Sequence, residues 1–258
     1  MGVNWSRLTR FSVRVRITIV KRYLILRCCT AHGIFCIHSI FFVKSKKVFR
    51  SLFEGYCEPR LLSAIESRNW DGKTYIFKDD HFWRLNDALE ETDRGYPKPI
   101  SSFWGGVPNG IDEIFTWGHN RKFYFFKGNQ YYRYNDQLRK VDWFYPLTIS
   151  QGWPGLPSDG IDAAFTWSNG KSYFFKGSKV YLWDNINDEV EYSWRNGKPI
   201  NNVWWGLPNK PDSAFRWYWD GRSYFFKYEY YYYWDDATNN AHGPYFIGQS
   251  KFKNICEV

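Results

Sequence analysis

Apolar and polar positions along most of this chain recur on a beat of about fifty residues. Each copy opens with a short run that starts polar and is apolar by its third position: Ser63-Ala64-Ile65, Asp112-Glu113-Ile114-Phe115, Asp162-Ala163-Ala164-Phe165 and Asp212-Ser213-Ala214-Phe215. The steps between first residues are 49, 50 and 50. A second run keeps the same beat: Tyr75-Ile76-Phe77-Lys78, Tyr124-Phe125-Phe126-Lys127, Tyr173-Phe174-Phe175-Lys176 and Tyr224-Phe225-Phe226-Lys227. Short aromatic and β-branched runs between turn residues predict strands, and a fixed period of this length predicts one blade of a β-propeller per copy. The expected fold is all-β: a four-bladed propeller over residues 57–256, with blades at about 57–108, 109–157, 158–208 and 209–256.

Within a copy, the second run does not alternate apolar with polar, as expected of a strand covered on both faces by neighbouring sheets. In the second copy the pattern predicts an inner strand over Asp112 to Trp117, a turn at Gly118-His119-Asn120-Arg121 and a second strand over Lys122 to Lys127. Gly128-Asn129 is a two-residue hairpin signal leading into a third strand, Gln130-Tyr131-Tyr132-Arg133-Tyr134. Asn135-Asp136-Gln137 then turns toward a polar outer strand. Copies close on Trp104-Gly105-Gly106-Val107-Pro108, Trp153-Pro154-Gly155-Leu156-Pro157 and Trp204-Trp205-Gly206-Leu207-Pro208, where Gly and Pro set the return from rim to axis. Just before each, a Pro in Tyr96-Pro97-Lys98-Pro99-Ile100, Tyr145-Pro146-Leu147-Thr148-Ile149 and Gly197-Lys198-Pro199-Ile200 marks the start of a short helical turn.

Composition changes this picture in two places. Aromatic residues make up 22% of the chain, a load that only a fold with many buried sheet faces can absorb. The formal charge of +9 suggests nucleic acid until it is located: residues 1–55 hold eleven Lys or Arg against one acid, Glu54. The remaining 24 basic and 25 acidic residues leave the repeats at −1, without the basic excess that phosphate binding needs, so nucleic acid is not an expected partner. Residues 1–55 stand outside the repeat and read as a basic, poorly ordered extension. Their apolar run, Gly33 to Val43, is 11 residues long, short of a membrane span of about twenty, and it lacks a signal-peptide cleavage pattern.

Cys28, Cys29 and Cys36 lie in the extension without metal-ligand spacing, whereas Cys57 and Cys256 bracket the repeats. A circular fold brings its first and last blades together, so a disulfide between Cys57 and Cys256 would close the ring and imply an oxidising compartment; two free buried thiols are the other reading. The chain-entropy model assigns such a loop at most about 5 kcal/mol.

These residues together resemble the hemopexin-like domain of matrix metalloproteinases. The resemblance rests on Cys57-Glu58-Pro59, the Asp-Ala-Ala-Phe inner strand, Tyr-Phe-Phe-Lys-Gly and Tyr-Tyr-Arg-Tyr in the blade, Tyr-Pro-Lys-Pro-Ile at the rim and the terminal Cys256, and it spans residues 57–256. The run Gln130 to Tyr145 is nearest in flavour to membrane-type members. The resemblance implies a calcium ion on the propeller axis, held by main-chain carbonyls of Ser63, Asp112, Asp162 and Asp212, with Ile65, Ile114, Ala164 and Ala214 as candidates for a second carbonyl ring. Ser63 departs from the usual Asp, which carbonyl ligation tolerates. The competing reading is that the Asp residues only organise turns.

Proteolysis in that family needs His-Glu-x-x-His on a helix to hold zinc. His32, His38, His81, His119 and His242 include no such pair, and no catalytic residue is nominated. Asp79-Asp80-His81 reads as a solvated hairpin turn. The resemblance therefore implies a non-catalytic recognition domain, extracellular, secreted or at the cell surface. Its implied partners are matrix proteins such as collagen, proteinase inhibitors or cell-surface proteins, and it allows for a homodimer. A heme or other ligand carrier of the hemopexin type is the alternative. The Tyr230-Tyr231-Tyr232-Tyr233-Trp234 run is a candidate set of anchors, with packing between blades as its other use.

Overall fold

The computed structural model describes residues 73–85, 92–217 and 220–247 in full, and residues 13–20, 23–30, 37–42 and 64–67 as backbone. The chain divides into two units, Met1–Gly55 and Tyr56–Val258. In the first, strands Val13–Val20, Tyr23–Thr30 and Ile37–Phe42 form an antiparallel sheet in chain order. The apolar run Gly33–Val43 contains the third of these strands.

The second unit is a four-bladed propeller. Its inner strands are Ala64–Ser67, Glu113–Thr116, Ala163–Thr166 and Ser213–Arg216, each paired antiparallel with the next strand of its blade. The four inner strands neighbour one another in cyclic order, the fourth packing beside the first. Register repeats as faithfully as sequence: Ile65 pairs with Ile76, Ile114 with Phe125, Ala164 with Phe174 and Ala214 with Phe225. Each inner strand is four residues long, shorter than the Asp112–Trp117 span predicted in blade 2. Asp112 and Trp117 instead make the backbone bonds that join it to its flanking turns, Asp112 N–H to Phe126 O and Trp117 N–H to Lys122 O.

The aromatic load sits between blades, in four cores. Because side chains alternate along a strand, Phe123 and Phe125 face blade 1, while Tyr124 and Phe126 face blade 3. Tyr173 and Phe175 likewise face blade 4, with Phe174 turned to blade 2. Ile76, Trp83 and Leu85 of blade 1 meet Phe215, Tyr224, Phe226 and Ile247 of blade 4, so side chains close the ring. The Tyr-Phe-Phe run is apolar throughout because both of its faces are interfaces.

Trp104, Trp153 and Trp204 stand on the linkers between blades, and each inserts its indole into an interblade core. Trp104 packs edge-on against Phe77 at 5.3 Å and against Phe125 at 5.5 Å, one ring from each neighbouring blade. Gly155, at φ +89°, follows one such Trp and brings the linker against Val190 on the outer strand of the next blade. The predicted helical turns form at Ile100–Ser102, Ile149–Gly152 and Ile200–Val203. Pro99 and Pro199 precede their helices rather than opening them, and in blade 2 Thr148 takes that place in a capping box with Gln151. No helix among the described residues is long and apolar enough to cross a membrane.

Candidate axial site and blade rims

Two regions of the propeller carry polar or apolar groups that packing alone does not require: the axis and the outer rims. In blades 2, 3 and 4 the Asp immediately before the inner strand bonds its side chain to the hairpin that follows. Asp112 Oδ2 accepts from Gly128 N–H at 2.6 Å, Asp162 Oδ2 from Gly177 N–H at 2.7 Å and Asp212 Oδ2 from Tyr228 N–H at 2.7 Å. These bonds tie the entry of these three inner strands to the hairpin between the second and third strands of their blades. Lys227 Nζ adds a 2.8 Å contact to Asp212 Oδ1, and Lys176 Nζ stands 3.7 Å from Asp162 Oδ1. The Asp side chains are thus turn organisers, which leaves main-chain oxygen as what these residues can offer an axial ion. Ile114, Ala164 and Ala214 are buried in equivalent register, and Ile65 holds that register in blade 1. Ser63, Cys57 and Cys256 lie outside the described residues.

The axis also holds a carboxylate that sequence reasoning passed over. Glu113 is completely buried. Its Oε1 accepts from the Ala164 amide of blade 3 at 3.0 Å, and its Oε2 from the Ser213 hydroxyl of blade 4 at 2.9 Å. A side chain rooted in blade 2 can reach both only because the inner strands surround a common axis. The equivalent positions are small, Ala64, Ala163 and Ser213, which leaves room for one long side chain. That contrast, one Glu among Ala and Ser at the same place in the repeat, was the signal available in the sequence. Among the described residues no three His, Cys, Asp or Glu side chains converge to hold a metal. His81, His119 and His242 stand on three different blades. Asp79 and Asp80 are exposed in their hairpin turn, and Asp80 meets His81 Nδ1 at 2.6 Å.

At the rims, the tyrosine run of blade 4 divides by facing. Tyr231 and Trp234 are buried in two different interblade cores, and Tyr230 stands partly exposed. The more exposed aromatics lie elsewhere: Trp143 at 79% and Phe144 at 83% on blade 2, Tyr192 at 80% on blade 3, and Trp205 at 78% on the last linker. Trp143 and Phe144 occupy the centre of a turn closed by Tyr145 N–H on Asp142 O at 3.3 Å, and Phe144 has φ +76°. The corresponding turn of blade 1, Asp93-Arg94-Gly95-Tyr96, closes with the same bond and places Gly95 at φ +89°.

Asp142 anchors the blade 2 turn through three donors. Arg133 Nε lies 2.6 Å and Lys122 Nζ 3.2 Å from Oδ2, and Asn135 Nδ2 lies 3.0 Å from Oδ1. Burial works against its charged form, yet the bonds from Asn135, Arg133 and Lys122 outweigh burial and hold the carboxyl below its ordinary range. The Arg133 guanidinium also stacks over the Tyr145 ring at 5.0 Å.

Comparison with known proteins agrees with this architecture. The sequence model of the family described as Hemopexin matches residues 63–109, 111–158 and 161–209, together more than half of the chain. Rabbit (Oryctolagus cuniculus) vitronectin is 38% identical over 53 residues, covering 20% of this chain and 11% of vitronectin. Bovine (Bos taurus) interstitial collagenase is 32% identical over 69 residues, covering 26% of this chain and 15% of the collagenase. Human neutrophil collagenase is 34% identical over 65 residues, or 25% and 14% of the two chains. The matched stretches are therefore a small part of those relatives. Among solved structures, the hemopexin-fold protein CP4 from cow pea superposes with a TM-score of 0.64 at 19% identity, covering 77% of this chain and 98% of its own. A plant lectin from Cicer arietinum superposes at 0.64 with 21% identity, covering 76% and 97%. At these identities the structural likeness speaks for the fold alone, and the assignment rests on the three matched repeats: the chain belongs to the hemopexin family.

Proposed function

We propose that the propeller is a non-catalytic recognition domain that binds extracellular-matrix proteins such as collagen, or proteinase inhibitors, and directs zinc-dependent proteolysis by a separate catalytic domain. The observation that carries this reading is the division of the aromatic residues. The strands commit most of theirs to the four interblade cores, while Trp143, Phe144, Tyr192 and Trp205 stay in water at the rims, where a partner would meet them. Local similarity to two collagenases and to vitronectin supports a matrix setting. An extracellular or cell-surface location, a Cys57–Cys256 bridge and an axial calcium belong to the same proposal. Calcium would be held by the carbonyls of Ser63, Asp112, Asp162 and Asp212, with Ile65, Ile114, Ala164 and Ala214 behind them. The side-chain bonds of Asp112, Asp162 and Asp212 to the hairpin amides favour a main-chain role for these residues.

The test is binding of the purified full chain to immobilised collagen, gelatin and a proteinase inhibitor, alongside turnover of gelatin and casein with and without added zinc. Saturable binding without cleavage is expected. Chelator-sensitive proteolysis by the chain itself would overturn the assignment. Heme titration separates the carrier reading, because His ligation would shift the visible bands.

A further inference from the structure

We propose that the Asp142–Tyr145 turn on the rim of blade 2 is a docking point for an acidic peptide segment of a partner protein that carries apolar side chains. This rests on the recognition reading above and names the surface and the partner chemistry. Two independent features single out the turn. Trp143 and Phe144, adjacent in sequence, are 79% and 83% exposed, so neither ring repays its place by packing. Phe144 also holds φ +76° where the matching turn of blade 1 has Gly95. The fold needs only a residue at ease in the left-handed region there, and blade 1 meets the need with Arg94-Gly95. A bulky side chain held in that region without a packing return is the kind of local strain that accompanies binding sites.

The surroundings specify charge. Asp142, the acid of the turn, is bonded by Lys122, Arg133 and Asn135 and is largely buried. Arg139 and Lys140, three and two residues before the turn, are exposed; Arg139 lies over the Phe103 ring at 5.6 Å, and neither has an ion-pair partner among the described residues. The rim of blade 3 differs: Glu189 pairs with Arg195 and Glu191 with Lys171 near the exposed Tyr192. Two large apolar rings beside unbalanced cations match a peptide with both apolar and acidic side chains. A polyanion such as a sulfated glycan would call on the cations and leave the rings unexplained, whereas Trp and Phe are the side chains that anchor protein interfaces.

The experiment uses the full chain and a short labelled peptide alternating glutamate and leucine. The comparison probes are the same peptide with lysine for glutamate, the same with serine for leucine, and a heparin oligosaccharide. The glutamate–leucine peptide should bind best. Combining Trp143→Ser with Phe144→Gly should weaken it at least about tenfold, Lys140→Glu should weaken it too, and Tyr192→Ser on blade 3 should leave it unchanged. Glycine suits the turn, and a cooperative melting curve at or above the wild-type temperature will show that the double variant folds. No preference over the two control peptides, or binding indifferent to the double variant, would overturn the proposal. So would tight heparin binding that Lys140→Glu abolishes and the double variant spares, which would assign the rim to a glycan. Collagen binding by the same proteins separates the two readings. Collagen binding that survives the double variant, together with unchanged peptide binding, sinks this inference alone, whereas a wild-type chain that binds no matrix protein or inhibitor sinks the recognition reading.

Discussion

Asp142 shows how one side chain gathers a blade rim. It ties the third strand through Arg133 and Asn135, and the turn before the second strand through Lys122. Asp142→Asn should cost about 1–3 kcal/mol, since it removes a charge-assisted acceptor and turns a donor either toward Asn135 Nδ2 or toward Arg133 and Lys122. The carboxyl titrates below its ordinary value in the folded chain, so its stabilisation is complete above that ordinary value, near pH 4, and is lost as pH falls through the lower folded value. Melting curves from pH 7 to 2 should accordingly converge for wild type and variant at the acid end. Phe144→Gly alone should leave stability unchanged or raise it by roughly 1 kcal/mol, because the left-handed backbone penalises a residue with a Cβ. At the axis, Glu113→Ala should lose about 1–3 kcal/mol, since it removes the acceptor that the buried Ala164 N–H and the Ser213 hydroxyl share. A double-mutant cycle with Ser213→Ala in urea melts would measure the part carried across the axis, and additivity between the two would refute a direct bond.

At the scale of elements, the linker tryptophans join neighbouring blades. Trp204 touches Phe165, Tyr173 and Phe175 of blade 3 and Phe225 of blade 4, so truncating it opens a void that two sheets line. Trp204→Ala should cost about 3–5 kcal/mol by denaturant unfolding, whereas the neighbouring Trp205→Ala, at an exposed position, should change stability by less than about 0.5 kcal/mol. The two adjacent tryptophans are chemically identical, and only the direction each takes from the linker distinguishes them. The Asp at the head of each inner strand makes a second test: Asp162→Ala forfeits the Gly177 bond, a loss of about 1 kcal/mol, yet should leave calcium affinity unchanged if ligation is through the carbonyl. Calorimetric titration with calcium would contradict carbonyl ligation if that affinity collapsed.

For the whole molecule, ring closure is the central energetic question. Blade 4 meets blade 1 through a hydrophobic core, so side-chain packing should hold the ring without a covalent clasp. Reducing a Cys57–Cys256 bridge would then lower the melting temperature without altering the β-sheet circular dichroism, and mass mapping of a linked peptide would establish the bridge itself. Calcium bound only by the folded ring should raise stability as RT ln(1 + [L]/Kd), about 2.7 kcal/mol at a hundredfold excess over Kd. A melting temperature indifferent to calcium would remove the axial ion from the proposal.

The architecture was legible in the sequence because a propeller is a repeat, and the fifty-residue beat marks every blade without any long-range information. The Tyr-Phe-Phe runs, read as strands covered on both faces, occupy those positions, and the Gly-Pro linkers make the returns between blades. Details set by neighbours in space escaped. Trp143 looks no different in sequence from Trp153, yet one lies in water and the other in a core, because burial depends on which blade stands opposite. Glu113 reads locally as a polar residue entering a strand; its role appears only when blades 3 and 4 bring an amide and a hydroxyl to its carboxylate across the axis. Local pattern determined which residues form strands and how many blades there are, since those follow from the period. Tertiary structure decided which polar groups face one another and which apolar ones stay free, because both depend on contacts between residues some fifty to a hundred positions apart.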